Sequence, residues 1–337
     1  MNSTMKLSHI GEFGLIHRIS EPFLKNLPHA VVGIGDDCAV IPWKEDASLL
    51  VTTDMLIEDI HFIRTIISPR DLGYKSLAVN LSDIAAMGGT PESAYLSLGI
   101  PHDVDVEWLD EFFAGLHELA ETESVHLLGG DTTKSPAHVV INITVLGKAN
   151  PRLIKYRSSA KIGDIICVTD FVGDSGGGLR YLKEERPRDD DAAYLLQRHH
   201  RPRAQVAEGS WLALREGVHA MMDISDGIDS DLHRIMERSQ CGAEVHIEHL
   251  PISKQLHNAS KRFGWHATEI AVAGGEDYCL LTTIGPEYYS TISEEFKKKF
   301  NRPLSNIGLI VDKESGLQYT EHGKRAVIYQ HGFDHFV

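Results

Sequence analysis

Acidic residues flanked by glycine or hydroxyl residues recur at five places along the chain, each beside an apolar stretch typical of a β-strand. These segments are residues 33–37, 52–54, 129–133, 223–227 and 274–277. A rigid sheet can direct carboxylates from several strand ends into one crevice, and glycine lets backbone amides approach a ligand closely. Carboxylates and hydroxyls are the hard-oxygen ligands that Mg²⁺ prefers. The pattern favours a site for metal and phosphate, although each segment alone is also typical of a turn or a helix cap.

Asp83 is the strongest single candidate, because it lies within a segment that is predicted to be a buried helix. Residues 71–87 are apolar on most faces, with Asp71 as the expected N-cap and Gly88 as the stop signal. A buried carboxylate is costly unless it is paired, hydrogen-bonded or bound to a metal. Backbone hydrogen bonds could satisfy Asp83, but we favour metal ligation.

The order of strand-like and helix-like segments predicts a mixed α/β protein. Strands are expected at residues 48–53, 125–128, 138–147 and 165–169, and a connector at 148–151 separates two parts of the chain. The 337 residues are enough for two domains of about 150 residues each. We therefore predict an N-terminal domain at 1–149 and a C-terminal domain at 150–337.

Charge and missing motifs exclude several classes of function. The chain has 33 Lys and Arg against 48 Asp and Glu, a net charge of −15, which argues against a nucleic-acid binder. The sequence lacks the P-loop, the serine hydrolase motif G-x-S-x-G and the zinc protease motif H-E-x-x-H. A nucleotide would therefore be neutralised mainly by metal ions, with Lys134 and Arg157 as candidate phosphate contacts. The adjacent His199 and His200, between basic residues, are expected at the surface.

The location is predicted from the N-terminus and the cysteines. The first 20 residues lack the pattern of a signal peptide, and no run of 18 apolar residues occurs. The four cysteines lie far apart without a C-x-x-C pair, which favours reduced thiols. We expect a cytoplasmic protein with no membrane partner.

Taken in order, short blocks of the sequence resemble those of the thiamine-monophosphate kinase family, which belongs to the superfamily of aminoimidazole ribonucleotide synthetase. The resemblance covers nearly the whole chain and runs through GIGDDCAV, TTDMLIEDIHF, DLGYKSLAVNLSDIAAMGGTP, LLGGDTT, MDISDGIDSDL, AGGEDY and GFDHF. It implies an N-terminal ferredoxin-like α/β sandwich, a C-terminal α/β domain with a mixed sheet, and a homodimer. The implied reaction is direct transfer of the γ-phosphate of ATP to thiamine monophosphate.

The resemblance also implies roles for individual residues. Several Mg²⁺ ions would be held by Asp37, Thr52, Thr53, Asp54, Asp83, Asp131, Asp223 and Asp226. ATP would contact Gly130, Asp131, Arg157 and Ser225, and thiamine monophosphate would contact His61, Glu276 and Phe333. No residue is assigned as a general base, because the acceptor phosphate is already an anionic nucleophile.

Two alternatives stay open at this point. The chain could catalyse another ATP-dependent reaction of the same superfamily, such as that of aminoimidazole ribonucleotide synthetase. It could also be a protein that binds magnesium and nucleotide without turnover. The carboxylate series has no gap, which favours catalysis.

Overall fold

The N-terminal half of the chain builds a five-stranded sheet covered on one face by two helices. In the computed structural model, which describes residues 7–25, 27–330 and 332, the elements of this half are α1 (Gly11–Leu24), β1 (Ala39–Lys44), β2 (Ala47–Ile57), α2 (Pro69–Ala86), β3 (Thr90–Ile100), α3 (Val106–Thr122), β4 (His126–Lys134) and β5 (Val140–Ala149). The strand order is β1-β2-β5-β3-β4, and β3 and β4 form the parallel pair. Along β5, buried Ile141, Ile143 and Val145 alternate with polar side chains on the other face, so this strand separates core from surface.

Helix α2 is the central element of the fold. It begins after Ser68, whose hydroxyl accepts a hydrogen bond from the amide of Asp71 at 3.0 Å, so Ser68 is the N-cap and the expectation of Asp71 is wrong. Of its 18 residues, 13 are buried, which explains its apolar composition. Helix α3 crosses it closely, since a Cβ on Gly73 would lie 1.8 Å from the carbonyl oxygen of Phe112. The opposite side of α2 is covered by the C-terminal half.

The C-terminal half builds a mixed seven-stranded sheet in the order β12-β11-β8-β10-β6-β9-β7. Its strands are β6 (Ile165–Val168), β7 (Val218–Asp223), β8 (Gly242–His246), β9 (Leu280–Ile284), β10 (Ser305–Val311), β11 (Leu317–Glu321) and β12 (Lys324–Ala326). Its helices are α4 (Asp174–Lys183), α5 (Asp190–His200), α6 (Val206–Ala213), α7 (Ile228–Ser239), α8 (Lys254–Phe263), α9 (Ala267–Ala273) and α10 (Pro286–Phe300). Helix α6 reaches α2, where a Cβ on Gly209 would lie 2.1 Å from the carbonyl oxygen of Ala85.

The predicted fold class, two α/β parts with a mixed sheet in the second, is confirmed. Two strand boundaries differ: Asp54 and Asp131 lie inside β2 and β4 rather than after their ends. The division at residue 150 stays a prediction. Within the described part of the chain, no helix is both long and apolar enough to span a bilayer.

Candidate active site

Three carboxylates from distant parts of the sequence meet between the two halves of the molecule. Asp37 precedes β1, Asp83 lies in the last turn of α2, and Asp223 is the last residue of β7. One oxygen from each lies within 4.8 Å of the other two. The end of α2 thus brings a residue of the N-terminal sheet region into contact range of the C-terminal sheet.

Each carboxylate of this group, which we call the acidic cluster, has its own hydrogen-bond partner. The Thr52 hydroxyl donates to Asp83 Oδ2, and the Ser82 hydroxyl donates to Asp223 Oδ2 at 2.6 Å. The guanidinium of Arg157 donates two hydrogen bonds to Asp37, from Nη2 to Oδ1 at 2.6 Å and from Nε to Oδ2 at 3.2 Å. These contacts orient the carboxylates before any ligand binds.

Burial and the charges of neighbouring carboxylates raise the pKa of two members of the cluster. Burial raises the pKa of Asp83 well above its usual value, and the charges of Asp54 and Asp223 raise it further. Burial, followed by the charge of Asp37, raises the pKa of Asp223 in the same way. Among the described residues, only the guanidinium of Arg157 forms an ion pair with the cluster, to Asp37 at 2.6 Å. A divalent cation fits this set of oxygen donors and would relieve their repulsion.

Asp54 belongs beside the cluster, although it is not one of its three members. It shares the inward face of β2 with Thr52, two residues away, and its amide donates to the Asn80 side chain at 3.1 Å. Burial and the nearby charges of Asp226 and Asp37 raise the pKa of Asp54 to about 6. The charge of Asp54 therefore interacts with those of Asp37 and Asp226.

Two loops of the C-terminal sheet are joined by backbone hydrogen bonds next to the acidic cluster. The amide of Glu276 donates to the carbonyl of Ser225 at 2.7 Å, and the amide of Tyr278 donates to that of Ile224 at 2.9 Å. Asp226 pairs with Arg234, and its amide donates to Asp231 at 3.1 Å. The structure therefore brings Ser225, Asp226 and Glu276 to one rim of the site.

Glu276 contacts two residues that sequence analysis missed or misplaced. Lys75 Nζ lies 3.0 Å from each carboxylate oxygen of Glu276, and His199 Nδ1 lies 3.3 Å from Oε2. His199 is buried, so its predicted surface position is wrong: α5 packs against α4 and α8 and covers it. The sequence does contain a signal for Lys75, because a charged side chain within the same apolar helix as Asp83 requires a buried partner.

Two further predicted residues, Thr53 and His61, lie outside the acidic cluster. The Thr53 side chain points to the opposite face of β2 from Thr52 and accepts hydrogen bonds from Asn142 and Thr144 there. Nδ1 of His61 accepts the amide hydrogen of Ile57 at 3.0 Å, in the turn after β2. The roles of Thr53 as a metal ligand and of His61 as a substrate contact therefore stay predictions.

Gly130 and Asp131 lie on the edge strand β4, where all nine residues are exposed. Gly130 has φ +153°, and a Cβ there would lie 1.7 Å from the carbonyl oxygen of Leu96, so the pairing of β4 with β3 requires glycine. Phe333 lies outside the described residues.

Comparison with known proteins gives matches along most of the chain. Residues 35–149 match the N-terminal domain of AIR synthase related proteins, and residues 161–315 match the corresponding C-terminal domain. Thiamine-monophosphate kinase of Haemophilus influenzae is 40% identical, covering 97% of this chain and 98% of the relative. The Escherichia coli K12 enzyme of the same name is 38% identical, covering 97% of this chain and 98% of the relative.

Solved structures give the same result. The structure of AaThiL complexed with AMPPCP and TMP is 32% identical, covers 98% of this chain and 99% of its own, and has a TM-score of 0.85. The hydrogenase maturation protein HypE in complex with ATP, at 18% identity and a TM-score of 0.70, shares the fold. On this full-length similarity, the chain belongs to the thiamine-monophosphate kinase family.

Proposed function

We propose that this protein transfers the γ-phosphate of ATP to thiamine monophosphate, giving thiamine diphosphate and ADP. The observation that carries the proposal is the acidic cluster, which lies between the two halves of a chain that matches thiamine-monophosphate kinases over nearly its full length. Reduced, buried thiols at all four cysteines agree with a cytoplasmic biosynthetic enzyme.

Magnesium is the proposed metal. Asp37, Asp83 and Asp223 would hold it together, with Asp54 and Asp226 as further ligands beside them. When bound, the ions would neutralise the phosphate oxygens and stabilise the charge on the transferred group. Thr52 and Ser82 hold two of the carboxylates in place through their hydroxyls. Thr53 and Asp131 stay proposed ligands on the resemblance alone.

Arg157 is the proposed cation for the nucleotide. Its guanidinium has five N–H donors, and Asp37 accepts two of them, so other donors stay available for a phosphate oxygen. The amide of Arg157 donates to Asp36 at 2.8 Å, which fixes the backbone at this point. Ser225 and Gly130 are proposed to contact ATP as well.

The acceptor needs orientation more than deprotonation. Its phosphate is anionic, so the protein contributes alignment and charge stabilisation and needs no general base. His61, Glu276 and Phe333 are proposed to bind thiamine monophosphate. Of these, Glu276 lies on the same rim as Ser225, beside the acidic cluster.

A homodimer is proposed through the uncovered face of the five-stranded sheet. This face exposes Met55 and Tyr95, with 51% and 41% of their surface accessible, beside the fully exposed strand β4 and its Leu128. Apolar side chains grouped on one sheet face are typical of an interaction surface. Light scattering of the wild type and of Met55→Glu tests it: a wild-type monomer would refute the dimer.

The reaction is tested by measuring ADP release with magnesium and ATP, comparing thiamine monophosphate with free thiamine. We expect turnover with the monophosphate alone and a product with the mass of thiamine diphosphate. ATP binding without ADP release would instead support a non-catalytic protein. Turnover of formylglycinamidine ribonucleotide would support the reaction of aminoimidazole ribonucleotide synthetase.

A further inference from the structure

Lys75 is a fully buried cation in the second turn of helix α2, eight residues before Asp83 of the acidic cluster. Its side chain is 1% exposed, whereas that of its partner Glu276 is 25% exposed. The ammonium lies 3.0 Å from both carboxylate oxygens, so it bonds to the side of Glu276 that faces the protein. A buried lysine would be strongly destabilising without such a partner.

His199 and Ser175 extend this pair into a connected group. His199 Nδ1 lies 3.3 Å from Glu276 Oε2 and 2.9 Å from the hydroxyl of Ser175. Burial, followed by the charge of Lys75, keeps the pKa of His199 well below its usual value, so its imidazole is neutral at pH 7. The charges of Lys75 and Glu276 therefore balance each other, and the imidazole supplies a hydrogen-bonding contact without adding a charge.

The backbone also limits the positions open to Glu276. The residue has φ +63°, a conformation that side-chain-bearing residues seldom adopt, and its amide is bound to the carbonyl of Ser225. With both its backbone and its carboxylate held, the remaining exposed part of the side chain has little freedom. Such a carboxylate is preorganised for a ligand, which reduces the entropy lost on binding.

We propose that Lys75, supported by His199, is a positioning residue that holds the Glu276 carboxylate in its orientation for the phosphate acceptor. The inference rests on the proposed function, because it takes Glu276 as a contact of thiamine monophosphate. Lys75 and Asp83 are eight residues apart on α2, or about 12 Å along the helix axis. One rigid helix thus fixes the distance between the carboxylate that receives the organic part of the acceptor and the cluster that receives its phosphate.

The test compares the wild type with Lys75→Met, Glu276→Gln and the double variant, in steady-state kinetics and in calorimetric binding of thiamine monophosphate. We expect Lys75→Met to raise KM for thiamine monophosphate by about 10-fold or more, since a hydrogen bond to a charged group is lost. The KM for ATP should stay within about 2-fold. In the Glu276→Gln background, the same Lys75 substitution should add little, because the group that it positions is already altered.

Arg302→Met is the matched control for the loss of a buried cation. Arg302 pairs with Asp170 and Glu208, outside the acidic cluster and the Glu276 group. The Arg302→Met substitution should lower the thermal stability of the protein and leave the KM values for ATP and thiamine monophosphate unchanged. If Lys75→Met does not fold, His199→Gln tests the same group of contacts around Glu276. This variant should raise KM for thiamine monophosphate by a smaller factor.

The outcomes separate the two proposals. A wild-type protein without thiamine monophosphate kinase activity would overturn the proposed function. Wild-type activity together with equal losses of Lys75→Met in the wild-type and Glu276→Gln backgrounds would overturn the positioning role alone. So would a rise in both KM values, which is what a general structural defect produces.

Discussion

Helix α2 carries buried charge in two places, and the two are stabilised in opposite ways. In its N-terminal part, which we call the balanced end, Lys75 and Glu276 form an ion pair whose charges cancel. At its C-terminal, acidic end, Asp83 meets two further carboxylates, and among the described residues Arg157 is the cation that pairs with them. The balanced end is neutralised within the protein, whereas the acidic end groups oxygen donors that a cation would bind. One helix therefore contributes both to a paired charge and to a cluster of like charges.

Removing a charge at the acidic end should produce the largest effect on activity. We expect Asp83→Asn to lower kcat by about 100-fold to 1000-fold, as for loss of a group that stabilises charge in a transition state. The fold should survive, because the substitution also removes like-charge repulsion from Asp54 and Asp223. Asp103→Asn, on an exposed carboxylate that pairs with Arg64, is the control and should retain normal turnover. Near-normal kcat in folded Asp83→Asn would contradict the metal assignment.

Magnesium should stabilise the acidic end, and more so at neutral than at acid pH. Asp54 has a folded-state pKa of about 6, above its ordinary value of 3.8, so without metal its contribution to stability is greatest in acid. This contribution falls as the pH rises from about 4 to about 6. At one hundred times its Kd, magnesium should stabilise the protein by about 3 kcal/mol at pH 7.5.

The measurement is thermal unfolding of chelator-treated protein with and without magnesium, at pH 7.5 and pH 5.5. The gain in Tm should shrink at the lower pH, because protons then compete with the metal for the carboxylates. An equal gain at both values would show that magnesium acts elsewhere on the protein.

A smaller effect is expected from the hydroxyl that orients Asp223. Ser82→Ala removes the 2.6 Å hydrogen bond to this carboxylate and should lower kcat by about 10-fold. Ser76→Ala is a matched control on the same helix, since the Ser76 hydroxyl is buried and donates to the carbonyl of Leu72 instead. Equal kinetics of the two variants would show that Ser82 does not orient the cluster.

The smallest effect on catalysis should come from the start of the helix. Ser68→Ala removes the N-cap of α2 and should lower the free energy of unfolding by about 1 kcal/mol. Both KM values and kcat should stay unchanged, because the cap lies about two turns before Lys75. Urea denaturation measures the first quantity, and a kinetic change would show that the cap also positions the site.

The sequence singles out Asp83 of the acidic end but gives no partner for Lys75 of the balanced end. Asp83 could be identified because a carboxylate within an apolar helix requires a partner, and α2 is indeed mostly buried. Lys75 carried the same signal, but its partner lies 201 residues away in sequence, and only the folded chain shows that pair. His199 was misplaced because its basic neighbours suggested a surface, whereas packing of α5 between α4 and α8 decides its burial.

The strand residues show what the sequence leaves open. Thr52 and Thr53 are neighbours in the sequence, but side chains alternate along a strand, so Thr52 donates to Asp83 while the Thr53 hydroxyl contacts Asn142 and Thr144 on the other face. The role of Thr53 as a ligand stays a prediction. Asp131 was expected after the end of a strand, and it lies within β4 because Gly130 permits the strand to continue past it.

The burial of α2 on both sides has a consequence for how the protein folds. One hydrophobic core contains Leu50 and Ile84 from the N-terminal half together with Met221, Leu280 and Phe296 from the C-terminal half. A chain cut near residue 150 would leave each piece with an uncovered apolar face. We therefore expect the two halves to unfold as one cooperative unit, so that heat melts both sheets in a single transition that secondary-structure and tertiary-structure signals follow together. The site between them would then form in the same step as the fold.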